Sequence, residues 1–374
     1  MSDIRTTKVA PPGAHLEEEL EVRGLSQTDF ARILGRPDKV VNEIIRGKRT
    51  ITPETAQELS KALGTTAQLW LNLESTYRLS LLSGSSRSSS GDDIERRAQL
   101  YAKGPIGEML RREWISGGSI DELEKSVIRF FGIPSMDAAI RVPGAAARTG
   151  LAPTCDFSPS QLAWLHRARQ LFSCVTAAHF ELARFKAALP DLRTYAQYPE
   201  QIREVPRVLA NVGVRLLIIE HIRGTRFDGA CIWTGDQPAV VLSLRMDRID
   251  NFWHTLAHEL GHVYYEDALS LDEGVDESQS EVLEVERRAN EFASHFLVPK
   301  QEMDNFIVRA APLFDSVQVA GFAARLRIHP GIVAGQIHFR TNDYSLNRKL
   351  LVKVREHIVG KALTDGWKSR LKVG

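Results

Sequence analysis

The chain has 374 residues, too many for one typical core, so two or three domains are expected. Its 43% hydrophobic and 25% charged content is that of ordinary globular protein, and no apolar run approaches the ~18 residues a membrane span needs. A net charge of +1 excludes a globally basic nucleic-acid binder, so any such footprint has to be local. The opening MSDIRTTKVAPPG lacks an apolar stretch and does not read as a signal peptide. Cys155, Cys174 and Cys231 are widely spaced and odd in number. They fit reduced thiols of a cytoplasmic protein better than disulfides or cysteine-ligated zinc.

Residues 1–82 are punctuated as short helices. HLEEELEVRG is a helical run. Ser26 then precedes QTDFARIL, with Asp29 three residues on, a capping-box variant, and Gly35 stops the helix. A second helix begins near Pro37; Val40, Val41, Ile44 and Ile45 form its apolar face, and Gly47 ends it. Two short helices joined by a glycine turn predict a helix-turn-helix whose second helix enters the major groove. Thr52 and Pro53 start a further helix and AQLWLNLESTYRLSLL another. Positive charge gathers at Arg32, Arg36, Lys39, Arg46, Lys48 and Arg49, around the proposed recognition helix. Lys39 and Asn42 are candidates for base edges; Gln27, Arg36, Lys48 and Arg49 are candidates for phosphates.

The stretch 24–77 resembles HigA-type antitoxins of the lambda-repressor-like (XRE) helix-turn-helix family. The marks are the G-L-S-Q start, I-x-x-G-K-R-x-I-T-P-E-T-A, and A-L-G-T-x-x-x-x-W-L-N-L-E. The resemblance implies sequence-specific binding to double-stranded operator DNA, as a homodimer at an inverted repeat near the protein's own promoter.

SGSSRSSSGDD, residues 83–93, is Ser/Gly-rich and reads as a flexible linker, exposed and open to self-cleavage. Residues 94–212 carry helical patterns, one with Ser119 as N-cap, but no catalytic constellation. Trp164, His166 and Cys174 read as packing residues.

Residues 213–310 differ. VRLLIIE, DGACIWT and PAVVLSL are short apolar runs with turn signals, which predict a small antiparallel sheet. Then comes DNFWHTLAHELGHVYYE, in which His258, Glu259 and His262 form H-E-x-x-H. Positions i and i+4 share one helix face, so two imidazoles can grip one divalent ion while the Glu reaches a metal-bound water as general base. His254 extends the row, but it lies two turns, about 11 Å, from His262, too far to share an ion whose ligands sit at ~2 Å. It reads as a helix-face residue. A third ligand is expected downstream. In SEVLEVERRANEFASHFLVP, Glu286, Asn290, Ala293 and Leu297 share a stripe, which favours Glu286; spacing also allows Glu281. Tyr264, Tyr265 and His295 are candidate oxyanion donors.

These residues resemble the ImmA/IrrE metallopeptidases. The likeness rests on F-D-G-A-C-I-W, R-x-D-x-F-W-x-T-L-A-H-E-L-G-H and E-x-x-A-N-x-F-A-x-x-F-L-V-P. It implies His258, His262 and Glu286 as ligands of one zinc per chain, with manganese as the alternative, and Glu259 as the catalytic base. It also implies cleavage of a repressor-type protein. His254 departs from the family, which has an aromatic or apolar residue there.

Residues 311–374 predict helix, turn at His329-Pro330-Gly331, and helix: a second DNA-reading unit or, preferably, a module buttressing the metal helix. The basic, amphipathic tail from Leu346 is a docking candidate. The expected fold is mainly α with a small antiparallel sheet (α+β): a helix-turn-helix head, a helical middle and a zincin-like C-terminal domain. The expected function is a cytoplasmic transcriptional regulator or antitoxin of a toxin–antitoxin system that carries a zinc endopeptidase, a hydrolase. Its expected partners are operator DNA and a protein substrate or cognate toxin, with no membrane. The alternative is a non-proteolytic antitoxin whose metal is structural or sensory.

Overall fold

Capping residues set the helices of the first unit, Met1–Glu95. The computed structural model describes residues 9–84, 89–141, 157–267, 270–271 and 280–367, with backbone alone at 82–84, 89–92, 270–271 and 280–283. Helix α1 is Pro12–Val22. Helix α2, Gln27–Leu34, starts where Ser26 Oγ accepts from the Asp29 N–H and ends on left-handed Gly35. Helix α3, Asp38–Ile45, takes Pro37 as its N-cap. Helix α4, Pro53–Leu63, is capped by Thr52, and α5 is Ala67–Gly84. Leu16, Phe30, Val41, Ile44, Leu59 and Trp70 make the core. A Cβ on Gly13 would lie 2.3 Å from the carbonyl oxygens of Ile44 and Ile45, so α1 meets the end of α3 backbone to backbone. The expected linker is largely helical: α5 reaches Gly84 and α6 spans Ser89–Lys103, leaving 85–88 outside the described residues.

The second unit, Arg96–Gly374, is built on a five-stranded sheet. Before it come α7 Ile106–Arg111, α8 Ile120–Phe131, α9 Pro159–Phe172, α10 Leu182–Thr194 and α11 Val205–Asn211. The strands are β1 Arg215–Ile219, β2 Gly229–Thr234, β3 Gln237–Leu242, β4 Ser270–Leu271 and β5 Leu363–Asp365, in the order β4-β2-β3-β1-β5. β2 runs antiparallel to β3 and β4, whereas β1 runs parallel to β3 and β5. The sheet is therefore mixed, not wholly antiparallel. The connection from Ile219 to Gly229 is too long for a tight hairpin and lets β2 fall beyond β3.

Helices cover both faces. Leu217, Ile219, Ile232 and Val241 pack with Met109, Phe130 and Trp164 of the middle helices. Leu216, Ile218, Val240 and Leu242 pack with Phe252, Trp253, Leu256 and Leu260 of α12, Ile249–Tyr265. The helical middle region is thus one layer of the same body. Its own apolar faces are completed only by the sheet.

The C-terminal residues are a further part of it. After α12 come α13 Ser280–Leu297, α14 Lys300–Ala310, α15 Ser316–Leu326 and α16 Pro330–Thr341. A Cβ on Gly335 of α16 would lie 2.6 Å from Asp250 of α12, and Ile332, Val333 and Ile337 are buried. Helix α16 therefore packs closely against α12. Among its described residues the basic tail forms no long helix: a short α17, Arg355–Ile358, leads into β5. There Asp365 forms a buried ion pair with Arg167 of α9 and accepts from Trp114 Nε1 at 3.0 Å.

Candidate metal centre

Helices α12 and α13 cross closely because the crossing residues are small. A Cβ on Gly261 would lie 3.2 Å from Ala289 Cα, so the glycine of H-E-L-G-H sets the approach. That approach brings Glu286 across to the two histidines. His258 Nε2 lies 3.1 Å from His262 Nε2 and 3.1 Å from Glu286 Oε2, and His262 Nε2 lies 3.7 Å from Glu286 Oε1. All three residues are buried.

The outer nitrogens are spoken for. His258 Nδ1 donates to Asn290 Oδ1 at 3.1 Å, and His262 Nδ1 donates to Asp267 Oδ2 at 3.0 Å. With both Nδ1 atoms protonated, both Nε2 atoms are acceptors, and Glu286 adds a carboxylate oxygen. Three acceptors converging in a buried space can hold a cation. Two imidazoles and one carboxylate are the donor set of a catalytic zinc site, and manganese accepts the same groups. The chain's own chemistry therefore fits a divalent ion.

Glu259 is fully buried beside this group. A Cβ on Gly229 would lie 2.6 Å from Glu259 Oε1, so β2 passes the carboxylate with backbone alone. Cys231, on the same strand, is buried too. Burial first, then the charges of Glu259 and Asp267, push its thiol well above the ordinary range. Cys231 is not among the groups that converge with His258, His262 and Glu286.

Other expected residues fall elsewhere. His254 is exposed on α12 and outside the triad. Glu281 lies where only the backbone is described. His295 is exposed, nine residues from Glu286 and hence on the opposite face of α13. Tyr264 packs at a tilt against Phe292, with Lys186 Nζ over its ring at 4.0 Å from the centre; Tyr265 packs under Arg288. The sequence reading missed Asp267 and the role of Asn290. Asn290 had a signal, four residues after Glu286 on the same face; Asp267 had none, since its place depends on the turn that closes α12. Glu266 there is left-handed (φ 55°), which folds Asp267 back so that its N–H donates to the His262 carbonyl at 2.9 Å.

In the first unit, Asn42 Nδ2 donates to Gln27 Oε1 at 3.1 Å, which joins α3 to the start of α2. Lys39 is 84% exposed, and its Nζ lies 3.9 Å from Glu43, which also pairs with Arg49 at 3.5 Å. Lys48 is exposed. Arg36 is held by Glu58 at 2.6 Å.

Residues 16–70 match the family model described as Helix-turn-helix, and residues 217–334 match a peptidase-family model described as IrrE N-terminal-like domain. The uncharacterized HTH-type transcriptional regulator YddM of Escherichia coli (strain K12) is 34% identical over 68 residues, 18% of this chain and 72% of that protein. The chain belongs to the XRE-type helix-turn-helix family and carries an IrrE-like peptidase domain. Virulence-associated protein I of Dichelobacter nodosus is 41% identical over 71 residues, 19% of this chain and 66% of that protein. Among solved structures, an addiction module antidote protein of a HigA family from Coxiella burnetii is 36% identical. It covers 24% of this chain and 94% of its own, with a TM-score of 0.21. The IrrE-like match runs past the expected boundary at 310 and takes in α15 and the first part of α16. No helix among the described residues is long and apolar enough to cross a membrane.

Proposed function

We propose that this chain is a transcriptional regulator of antitoxin type whose IrrE-like domain is a zinc-dependent endopeptidase acting on a repressor-type protein. The carrying observation is the convergence of His258, His262 and Glu286, with the Glu259 carboxylate buried beside them. The bound ion supplies Lewis acidity and lowers the pKa of a water toward neutrality. Glu259 takes a proton from the attacking water at a carboxylate oxygen and returns it to the leaving nitrogen. Asn290 and Asp267 hold the two imidazoles with Nε2 inward.

On the regulatory side, a homodimer binds an operator in the cytoplasm. Lys39 and Asn42 face base edges, and Gln27, Arg36, Lys48 and Arg49 contact phosphates. The protein partner is the cleaved repressor or a cognate toxin.

The test compares full-length wild type with Glu259→Gln for zinc content and for cleavage of candidate repressor proteins. The reading expects one zinc in both and cleavage by wild type only. A wild type without bound metal refutes it. A second reading, a structural or sensory metal in a non-proteolytic antitoxin, is favoured by the burial of every ligand, since structural sites are closed. Zinc in both proteins and cleavage by neither supports that reading.

A further inference from the structure

Arg288 has no part in the chemistry above, yet it touches the machinery of the site. It leaves α13 two residues after Glu286. Its Nη2 donates to Asp267 Oδ1 at 2.5 Å, while the other oxygen of that carboxylate accepts from His262 Nδ1 at 3.0 Å. Its guanidinium carbon lies 4.4 Å from the centre of the Tyr265 ring. The Asp267 side chain is 7% exposed and that of Arg288 38%. A chain of contacts thus runs inward from a half-exposed cation, through a nearly buried carboxylate, to a fully buried imidazole. The other histidine differs: His258 leans on Asn290, a neutral amide.

We propose that Arg288 is a positioning residue for the metal centre, acting through Asp267 to hold His262 with Nε2 facing His258 and Glu286. The inference rests on reading those three residues as a metal site. Asp267 follows the left-handed turn at Glu266, so its backbone is fixed by the end of α12. Its carboxylate torsions are not. Without Arg288, one oxygen of a nearly buried anion loses its donor, and that loss favours rotation toward water. The His262 Nδ1–H then loses its acceptor, and with it the restraint on ring orientation. Arg288 also spans two helices: Asp267 closes α12, and Arg288 stands on α13 beside Glu286. One ion pair therefore sets the ring of one ligand and the spacing of another. The cation further offsets a carboxylate charge that would otherwise add to those of Glu259 and Glu286.

The test measures zinc affinity of the full-length chain by chelator competition, together with the visible absorption of its cobalt-loaded form. Arg288→Ala should weaken zinc about fivefold, less than the ~10–100-fold typical of residues that bond a ligand directly, and should shift the cobalt bands. Arg288→Lys should recover most of the affinity, since an ammonium can reach the same oxygen. In an Asp267→Asn background, Arg288→Ala should cost nothing further. Should Arg288→Ala misfold, Arg288→Met, which keeps the stem over Tyr265, carries the same expectation. Unchanged affinity in Arg288→Ala, no rescue by lysine, or a full additive loss in Asp267→Asn overturns the proposal. A wild type that binds neither zinc nor cobalt instead defeats the metal reading itself. A wild type that binds both, with Arg288→Ala indistinguishable from it, defeats the positioning role alone.

Discussion

The two units hold their candidate sites by opposite means. In α1–α5 the charged groups proposed to meet DNA are exposed: Lys39 is 84% exposed, and Lys39 and Arg49 share the same acidic neighbour, Glu43. In the IrrE-like domain the proposed metal groups are buried, and each outer histidine nitrogen has an assigned acceptor. Screened surface charges act at a distance of about one Debye length, ~8 Å at physiological salt, and lose function gradually when one is removed. A buried convergent site depends on sub-ångström placement and loses function steeply.

The sharpest way to break this contrast is Glu286→Ala. Zinc affinity should fall more than ~100-fold, beyond the range for residues one bond removed from the metal. Stoichiometric zinc in that variant after gel filtration would show that the buried triad is not one site. Gly229→Ala comes next. Its methyl would meet Glu259 Oε1 and Thr255 Cγ2 within 3 Å, so the fold should lose ~1–3 kcal/mol in denaturant titration. An unaltered midpoint would mean that β2 has room to retreat from the carboxylate.

The surface side of the comparison predicts smaller losses. Lys48→Ala should weaken operator binding uniformly across sequences and lower the salt slope by about one. Asn42→Ala should instead relax sequence preference, at a cost of ~1–3 kcal/mol on the preferred site. If both variants leave gel-shift affinity and its salt dependence unchanged, α3 is not the reading helix.

The smallest effect concerns acid. Burial holds His166, His221 and His329 of the second unit below the usual imidazole range. Below about pH 6.5 the unfolded chain therefore takes up protons that the folded unit refuses. Stability should fall as pH drops from there toward the lowered folded values. Thermal melts of chelator-treated protein between about pH 7 and 5.5 should show the decline, and His166→Gln should make it shallower. A flat profile would show that burial does not keep these imidazoles from taking up protons.

How far the sequence could be read follows the same division. Ser26, Gly35, Thr52 and Ser119 act locally, through hydrogen bonds three residues away or a left-handed backbone, and all four perform as their types dictate. The H-E-x-x-H pair is local as well. Glu286 was legible because helix periodicity placed it on the stripe with Asn290 and Leu297. Asp267 was not, because its role depends on a turn at Glu266 that no residue type announces. The sheet was half legible. Three apolar runs declared strands, yet their continuity also required cover on both faces. That cover comes from the middle helices on one face and from α12, beyond the last of the three runs, on the other, and such pairing has no sequence-local mark. The parallel edge at β5 is longer-ranged still.

The placement of β5 has a consequence for the order of events during synthesis. The helix-turn-helix segment, with its own core, leaves the ribosome first. The sheet beneath the metal helix lacks its outer strand until Leu363–Asp365 has been made. At ~5–20 residues per second, tens of seconds separate the two. Through that interval a nascent chain can carry a finished DNA-reading head while the body holding Glu259 remains open at one edge. Birth order therefore completes the core of the helix-turn-helix segment before the sheet that supports Glu259.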